Sequence, residues 1–287
     1  MTAFNARYRQ GRITATGSLV YTNVTEHVKI GDAPADFQRL APSFTVSLQP
    51  WQEQLLFLRL MYKSTFRMPT FNDLYYYRLG NRSLRPEKAN EYNMGITWSR
   101  SFSSFLNYLS VTVDGYYNDV TDKIVAFPTT YAWKMANYGK VHVTGMDATL
   151  AAAASLGKNM VLVVSGGYTR QKAIDLTDAT SKSYKDQLPY TPKHSGNVSA
   201  VLEMPWVNVG YSIVGVSERY SMSQNIPENR IDGYMEHTVS LSRNFSFRHC
   251  KLRLQAEIIN LTDTQYDVIK YYPMPGRSWR LTGTIEF

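Results

Sequence analysis

The sequence predicts an all-β protein, an antiparallel transmembrane β-barrel, and three observations carry that prediction. Apolar and polar residues alternate repeatedly along the chain, as they do in strands that bury one face. The alternating stretches are about 11–13 residues long, whereas strands of soluble sheets average about 5–6 residues. A tilted strand needs about 9–11 residues to cross a bilayer. Finally, short and long connections follow one another in strict alternation.

The alternation divides the chain into thirteen predicted strands and leaves no stretch with a convincing helical period. In LSVTVDGYYN, for example, every second residue from Leu109 is apolar or small, and VNVGYSIVG from Val207 repeats the pattern. The predicted strands, in chain order, are 3–9, 12–23, 37–49, 53–65, 90–100, 107–119, 139–154, 160–171, 191–203, 206–218, 232–244, 250–261 and 277–287.

The connections indicate the class of barrel. The short ones read GR, QPWQ, RSFSSF, LGKN, MPW and FSFRH, and the long ones span 24–36, 66–89, 120–138, 172–190, 219–231 and 262–276. Every long connection therefore falls at the same end of the sheet. Bacterial outer-membrane barrels have this arrangement, with short periplasmic turns and long extracellular loops.

The last predicted strand keeps its alternation up to the final residue. Trp279, Leu281, Gly283, Ile285 and Phe287 fall on one face, and the residues between them are polar. Chain ends are usually frayed and polar. A terminus of this kind is expected to be paired within a sheet that has one apolar and one polar face.

Composition excludes several classes of protein. No run of 18 apolar residues occurs, so transmembrane helices are not predicted. The single cysteine, Cys250, permits neither an intrachain disulfide nor a cysteine metal site. The net charge is +8, but the basic residues form no continuous block in the sequence, which argues against a nucleic-acid partner. The 21 Tyr, 12 Phe and 5 Trp suit membrane interfaces or binding surfaces, where rings meet both apolar and wet surroundings.

The strand count and the first residues bear on completeness. Single-chain bacterial barrels have even strand numbers, whereas thirteen strands are predicted here. We therefore expect either that the prediction of the first strand is wrong or that the barrel begins before Met1, and we favour the second. The opening MTAFNARYRQG lacks the apolar core of a signal peptide, so any export signal is expected upstream or is absent.

Two internal motifs and the last hairpin resemble TonB-dependent outer-membrane receptors, the siderophore, vitamin B12 and haem transporters of Gram-negative bacteria. FRMPTFNDLYY from Phe66 and GNRSLRPEKANEYNMG from Gly80 are similar to the family's FRAPTFNELYY and GNPNLKPEKS segment. IINLTDTQYDV from Ile258 is similar to a VxNLFDxxY strand, and YPMPGRSWRLTGTIEF to the final hairpin. Arg82 and Ser83 depart from the family's pattern, so this loop is expected to differ locally.

The resemblance implies a 22-stranded barrel whose lumen is filled by a plug. The plug precedes the barrel and contacts the energy-transducing TonB complex. Nothing in residues 1–287 resembles a plug, so the chain is expected to be the C-terminal portion of one receptor barrel domain, about 12–13 of the strands. Such a piece is not expected to carry out energised import by itself.

The resemblance also assigns the end of the chain a role in assembly. In these barrels the last strand pairs with the first, and the terminal aromatic belongs to the signal that the barrel-assembly machinery reads. The residues expected to form this signal are Trp279, Leu281, Ile285 and Phe287.

No catalytic constellation is present, and neither an enzyme activity nor a cofactor is predicted. The five histidines are scattered and lie in no HExxH or GxSxG motif. A small-molecule ligand is instead expected to contact aromatic and cationic residues in the long loops, because aromatic rings offer contact area and Arg suits anionic chelates. The candidate ligand-binding residues are Tyr75, Tyr76, Tyr77, Arg78, Tyr131, Trp133, Tyr271 and Tyr272.

The leading hypothesis is a receptor in the Gram-negative outer membrane, surrounded by its lipid, that takes up a ferric siderophore, haem or cobalamin. The alternatives are a passive outer-membrane channel, a non-functional remnant, or a soluble β-rich binding protein. The soluble alternative does not explain why all long connections lie at one end. For the candidate aromatic residues, an interfacial girdle or loop packing remains the competing interpretation.

Overall fold

The computed structural model describes residues 1–25, 27, 29, 36–128 and 133–286. Thirteen of its strands form one antiparallel sheet in which neighbours in sequence are neighbours in space. In chain order the strands are β1 (Thr2–Gln10), β2 (Ile13–Val24), β3 (Phe37–Leu48), β4 (Leu55–Arg67), β5 (Glu87–Ser101), β6 (Leu106–Pro128), β7 (Trp133–Gly157), β8 (Met160–Asp175), β9 (His194–Glu203), β10 (Asn208–Val216), β11 (Arg219–Tyr220), β12 (Arg230–Ile231), β13 (Tyr234–Ser246), β14 (Lys251–Ile259), β15 (Asp267–Ile269), β16 (Tyr272–Pro273) and β17 (Ser278–Glu286).

The all-β prediction and the thirteen long strands are confirmed. No stretch of the sequence has a convincing helical period, and the two helices present are short: α1 (Phe71–Tyr75) and a 3-10 helix (Pro227–Asn229) lie in the loops. Two further pairs, β11–β12 and β15–β16, also lie in the loops. These elements span two to five residues, which is too short for any period to show in the sequence.

Cross-strand register separates the side chains into an apolar and a polar face. Leu58, Ile96, Val113 and Ala148 lie side by side in one row across β4 to β7. The adjacent row on the opposite face holds Arg59 and Asp114, whose Nη2 and Oδ1 atoms are 3.0 Å apart. Because successive strand residues point to opposite faces, this register carries the two faces across the whole sheet.

One glycine lets this polar row form. Gly95 lies between Arg59 and Asp114 in the register. A Cβ atom at Gly95 would lie 2.0 Å from the Asp114 Oδ1 atom, so any larger residue would displace the carboxylate from its ion pair. The absence of a side chain thus allows an ion pair to reach across the middle strand.

The predicted long connection 120–138 is wrong over most of its length. The β6–β7 ladder continues to the pair Pro128 and Trp133, beyond the ends of the neighbouring strands. Asp122 takes a positive φ of 55°, and its carbonyl accepts a hydrogen bond from Asn137 Nδ2 at 2.6 Å. The side chain of Asn137 also donates to the Arg85 carbonyl at 3.0 Å, which supports the extension from the side.

The buried core lies at the end of the sheet that carries the long loops. One cluster joins Val120, Val141, Val143 and Ala173 of the sheet to Leu188 of the loop after β8. A second joins Leu74, Leu84 and Ile124. Much of the apolar face is exposed instead, including Leu60, Met94 and Leu281. The loops, rather than a second layer, therefore cover the sheet.

The sheet is open within the described residues. Strands β1 and β17 form its two edges and each pairs with a single neighbour. No helix in the described part of the chain is long and apolar enough to cross a membrane.

Candidate functional site

The loop of residues 68–86 begins with a helix whose start is fixed by a capping box. The Thr70 hydroxyl accepts a hydrogen bond from the Asp73 amide at 3.1 Å, and the Asp73 carboxylate accepts one from the Thr70 amide at 2.9 Å. Such reciprocal bonds satisfy two amides that a helix start leaves free. Asp73 also lies 3.4 Å from Arg67 Nη1, which ties the helix to the end of β4.

Glu87 completes this ion cluster from the other side of the loop. Its carboxylate lies 3.6 Å from Arg67 Nε and 3.5 Å from Lys123 Nζ. It also accepts a hydrogen bond from the Ile124 amide at 3.0 Å. The cluster therefore links β4, β5 and β6 at the point where the loop leaves the sheet.

Glycine allows the aromatic run to fold back on α1. The Gly80 amide donates to the Tyr76 carbonyl at 2.7 Å. A Cβ atom at Gly80 would lie 2.7 Å from the Leu74 carbonyl group, which is closer than real Cβ contacts. The turn presents Tyr76 and Tyr77 outward, and Tyr77 is 78% exposed. The Arg78 guanidinium lies 5.1 Å from the Tyr77 ring centroid.

The segment that follows this run is hydrogen-bonded to β7 near Trp133. The Met135 amide donates to the Leu79 carbonyl at 3.1 Å, and Asn81 Nδ2 donates to the Met135 carbonyl at the same distance. Two residues away, the ring centroid of Trp133 lies 6.1 Å from that of Tyr190. Tyr131, the other candidate in this region, lies outside the described residues.

The loop of residues 176–193 is held against the polar face by Gln187. This residue is buried, and its Oε1 atom accepts a hydrogen bond from the Ala173 amide at 3.2 Å. Its own amide donates to Asn225 Oδ1 at 2.8 Å, and the Asn225 amide donates to Asp186 Oδ2 at 2.9 Å. The loop is thereby joined to the next loop, residues 217–233.

Arg219 connects that loop to the last one, residues 260–277. The side chain is buried, with 4% of its residue surface exposed, and Nη2 donates to the carbonyls of Asp267 and Val268 at 2.6 and 3.1 Å. Its guanidinium lies 5.7 Å from the Tyr234 ring centroid. Arg219 was not among the sequence candidates, since its partners are carbonyls of a distant loop that no motif reveals.

Tyr190 is a second residue that the sequence did not single out. Burial raises the pKa of its phenol, and a hydrogen bond with the Lys270 backbone and the charge of Arg219 oppose that effect. Since its ring also lies beside that of Trp133, Tyr190 is placed between Trp133 and the last loop. There Lys270 Nζ is 5.5 Å from the ring centroid of Tyr271, which is 82% exposed. Tyr272 is also exposed.

The last two loops enclose a cavity of about 330 Å³ beside these tyrosines. Two cations, Arg230 and Lys270, and two carboxylates, Asp232 and Asp267, contribute to its lining, together with Tyr271. Arg230 is paired with Asp232 at 3.0 Å and with Glu218 at 3.2 Å. The cavity thus offers flat aromatic surface beside partly neutralised charge.

The chemistry of the loop end is suited to binding. It combines exposed rings, which give contact area at small entropic loss, with cations that can bind an anionic group. In the described ranges no three His, Cys, Asp or Glu side chains are grouped as metal ligands. The structure places Tyr75 to Arg78 in the loop of residues 68–86, Trp133 on β7 two residues from a contact of that loop, and Tyr271 and Tyr272 in the last loop.

The residues expected to signal assembly lie along β17, at one edge of the sheet. Trp279, Leu281 and Ile285 are exposed on the apolar face of β17, where they oppose Ile258, Ala256 and Leu252. Phe287 lies outside the described residues. Their role in assembly stays a prediction.

Comparison with known proteins gives a consistent result. Residues 4–261 match the family model described as TonB dependent receptor-like, beta-barrel. The vitamin B12 transporter BtuB of Photobacterium profundum is 26% identical over 230 residues, covering 77% of this chain and 34% of that protein. The BtuB of Vibrio vulnificus is also 26% identical, over 231 residues, covering 77% of this chain and 33% of that protein.

Solved structures show the same fold. The unliganded ferric citrate transporter FecA superposes with a TM-score of 0.73 at 14% identity, covering 98% of this chain and 44% of that one. The ferric-catecholate import receptor Fiu of E. coli gives 0.69 at 18% identity, again covering 98% and 44%. The chain spans about a third of the length of the curated relatives it matches.

Proposed function

Because this chain belongs to the TonB-dependent receptor-like β-barrel family, we propose that it forms barrel wall and outer loops of a nutrient-uptake receptor. The receptor lies in the Gram-negative outer membrane and is surrounded by its lipid. Its ligand is a scarce metal chelate, haem or cobalamin. Similarity to a vitamin B12 transporter and to two ferric-chelate receptors supports this range of ligands.

The observation that carries the proposal is the separation of faces across the sheet. The row of Leu58, Ile96, Val113 and Ala148 is apolar, and the adjacent row contains the Arg59–Asp114 ion pair. The first face can lie against lipid, whereas the charged side chains of the second face need the polar lumen of a barrel. A soluble sheet with this much exposed apolar surface would be expected to aggregate.

The unpaired edges of β1 and β17 support a domain assignment. In hydrocarbon every backbone amide and carbonyl must be paired, and each unpaired group costs several kcal/mol. We therefore propose that residues 1–287 are the C-terminal portion of one barrel domain, and that strands outside this range pair with both edges. A plug domain outside this range would contact the TonB energy-transducing complex, and β17 would contact the barrel-assembly machinery.

The aromatic and cationic residues of the loop end are the proposed ligand contacts. Tyr76, Tyr77 and Arg78 lie in one loop, which is hydrogen-bonded to β7 two residues from Trp133, and Tyr271 and Tyr272 lie in the last loop. Exposed tyrosines suit a planar or amphipathic ligand, and neighbouring Arg and Lys suit the negative charge of a chelate. The same residues also suit packing against lipid headgroups, and a substitution at Tyr77 that weakens ligand binding while the barrel stays intact separates the two roles.

Uptake by cells carrying the native polypeptide that contains this chain tests the proposal. Cyanocobalamin, ferric citrate and haem are supplied separately in labelled form, with and without an uncoupler of the proton gradient. We expect saturable uptake of one probe that stops when the gradient is collapsed. The control is the same strain with the coding sequence deleted.

A different pattern would contradict the proposal. Uptake that rises linearly with concentration and ignores the uncoupler identifies a passive channel. A chain found in the outer membrane that takes up none of the three probes contradicts the proposed ligand classes. Recovery of the chain in the soluble fraction, with no change of gel mobility on heating, contradicts the membrane location itself.

A further inference from the structure

A hollow interrupts the apolar face where β8, β9, β10 and β13 meet. Gly196 and Gly215 are register partners, and Gly196 is also paired with Tyr168. Because these glycines lack side chains, the face is indented by about 430 Å³. We call this hollow the glycine notch; the residues that define it are Tyr168, Gly196, Val198, Ile213, Gly215 and Met235.

The glycine notch is lined by carbon and lies on the face that the proposed function exposes to lipid. Val198 and Met235 are exposed at its sides, so a bound group would contact both. An unfilled hollow forfeits dispersion contacts along its lining. A flexible hydrocarbon chain can follow an irregular hollow of this kind.

One Tyr–His pair borders the notch on its long-loop side. The Tyr168 hydroxyl is 2.7 Å from His194 Nδ1, and both residues line the hollow. A phenol and an imidazole can each form a further hydrogen bond with a polar headgroup. The pair therefore places polar atoms at the edge of the apolar hollow.

A cation lies next to this pair. Arg170 is the register partner of His194 and is exposed, and Lys172 follows two residues later on the same face. Within the described ranges neither side chain forms an ion pair. An apolar hollow bordered by unpaired positive charge is complementary to a lipid with an apolar chain and an anionic phosphate.

We propose that the glycine notch binds one acyl chain of an anionic phospholipid, whose phosphate contacts Arg170 and His194. The inference rests on the membrane location given in the proposed function. It adds a specific lipid site on the outer wall, separate from the ligand contacts at the loop end. The bound lipid fills the hollow and neutralises the cation at the same time.

Native mass spectrometry of the full polypeptide tests the site. The detergent-purified protein is mixed with equal amounts of dipalmitoyl phosphatidylglycerol and dipalmitoyl phosphatidylcholine. We expect one retained phosphatidylglycerol, preferred about tenfold over phosphatidylcholine, as a charge-assisted contact gives. Equal retention of the two lipids would overturn the headgroup part of the inference.

Gly215→Leu tests the hollow directly. A Cβ atom at Gly215 meets only Met235 Cγ, at 3.7 Å, so the new side chain enters the notch without displacing backbone. Retained lipid should fall about tenfold. The matched control is Gly17→Leu, on the apolar face of β2, where a Cβ atom meets nothing within 4 Å. Equal lipid retention by the two variants would show general lipid coating and overturn the inference.

Arg170→Gln should remove the preference for phosphatidylglycerol and leave chain binding in place. Lys88→Gln is its control, since Lys88 is an exposed cation of β5, away from the notch. Dimers that disappear in Gly215→Leu would identify a second copy as the occupant and overturn the inference. A shift of gel mobility on heating verifies that each variant folds, so loss of lipid is distinguished from loss of the barrel, and a soluble wild type would contradict the proposed function instead.

Discussion

Tyr234 and Tyr266 stack with ring centroids 3.9 Å apart and an angle of 12° between their planes. Tyr234 begins β13, whereas Tyr266 belongs to the last long loop. Arg219 lies over the first ring and bonds two carbonyls beside the second. The position of the last loop therefore depends on a small group of buried polar and aromatic contacts.

Replacing Arg219 with Met should loosen the last loop. The change removes two charge-assisted hydrogen bonds and leaves the carbonyls of Asp267 and Val268 unpaired, a loss of about 2–3 kcal/mol. Amide hydrogen exchange of β15 and β16 should accelerate accordingly. Arg230→Met is the control, because that exposed side chain forms surface ion pairs worth about 0–1 kcal/mol. Equal acceleration in the two variants would contradict the assigned role of Arg219.

The folded conformation of the last loop should lose stability at alkaline pH. Burial raises the pKa of Tyr266 above its ordinary value of 10.0. The Glu236 carboxylate, whose Oε2 atom is 2.5 Å from the phenol oxygen, raises it further. The folded loop thus holds the phenolic proton more tightly than the unfolded chain does. This stabilisation is complete below pH 10 and is lost as pH rises above it.

Limited proteolysis of the loop between about pH 8 and pH 11 measures this effect. Cleavage in the wild type should increase steeply above pH 10. Tyr266→Phe should be cleaved faster at neutral pH, because Glu236 loses its partner, but with a flatter dependence on pH. An unchanged slope in this variant would assign the alkaline effect to other tyrosines.

Tyr77→Ala should weaken ligand binding and leave the barrel intact. Its ring is 78% exposed, so truncation removes contact area for a ligand without opening the core. We expect the Kd of the transported probe to rise about tenfold or more, as for an aromatic anchor at an interface. Phe105→Ala, an exposed ring at the short-turn end, should leave Kd unchanged. A similar effect at both positions would indicate that Tyr77 supports the barrel rather than the ligand.

Leu281→Lys should impair insertion of the barrel. Leu281 is 80% exposed on the apolar face of β17, and a lysine at mid-bilayer depth costs about 2–4 kcal/mol. The fraction of protein that shifts in gel mobility on heating should fall. Thr282→Lys is the control, because Thr282 points to the polar face beside Gln255. Comparable folded fractions for both variants would argue against a lipid-facing β17.

Alternation was sufficient to predict the thirteen long strands because each side chain in a strand reports the face on which it lies. The continuation of β6 and β7 into the predicted loop was not foreseen. Asp122, which takes a positive φ, looks in the sequence like the start of a loop. Helix α1 was missed because its start depends on the local Thr70–Asp73 capping box and its position on burial of Leu74.

The binding candidates were predictable only in part. The run from Tyr75 to Arg78 is visible because aromatic and cationic residues are adjacent in the sequence. Tyr190 and Arg219 are single residues in their loops, and their importance arises from contacts with residues 133 and 267–270. Long-range contacts of this kind leave no local pattern in the chain.

The extended β6–β7 ladder also determines how far one proposed ligand contact stands from the rest of the sheet. Among the described residues, its pairs from Lys123 and Tyr138 to Pro128 and Trp133 have no sheet neighbour on either side. At roughly 3.3 Å per residue they project about 20 Å past the rest of the wall. In the proposed orientation the last described pair of this hairpin carries Trp133, a proposed ligand contact, outward beyond the sheet. Sequence change along the hairpin can therefore alter capture of the ligand without changing the wall that spans the membrane.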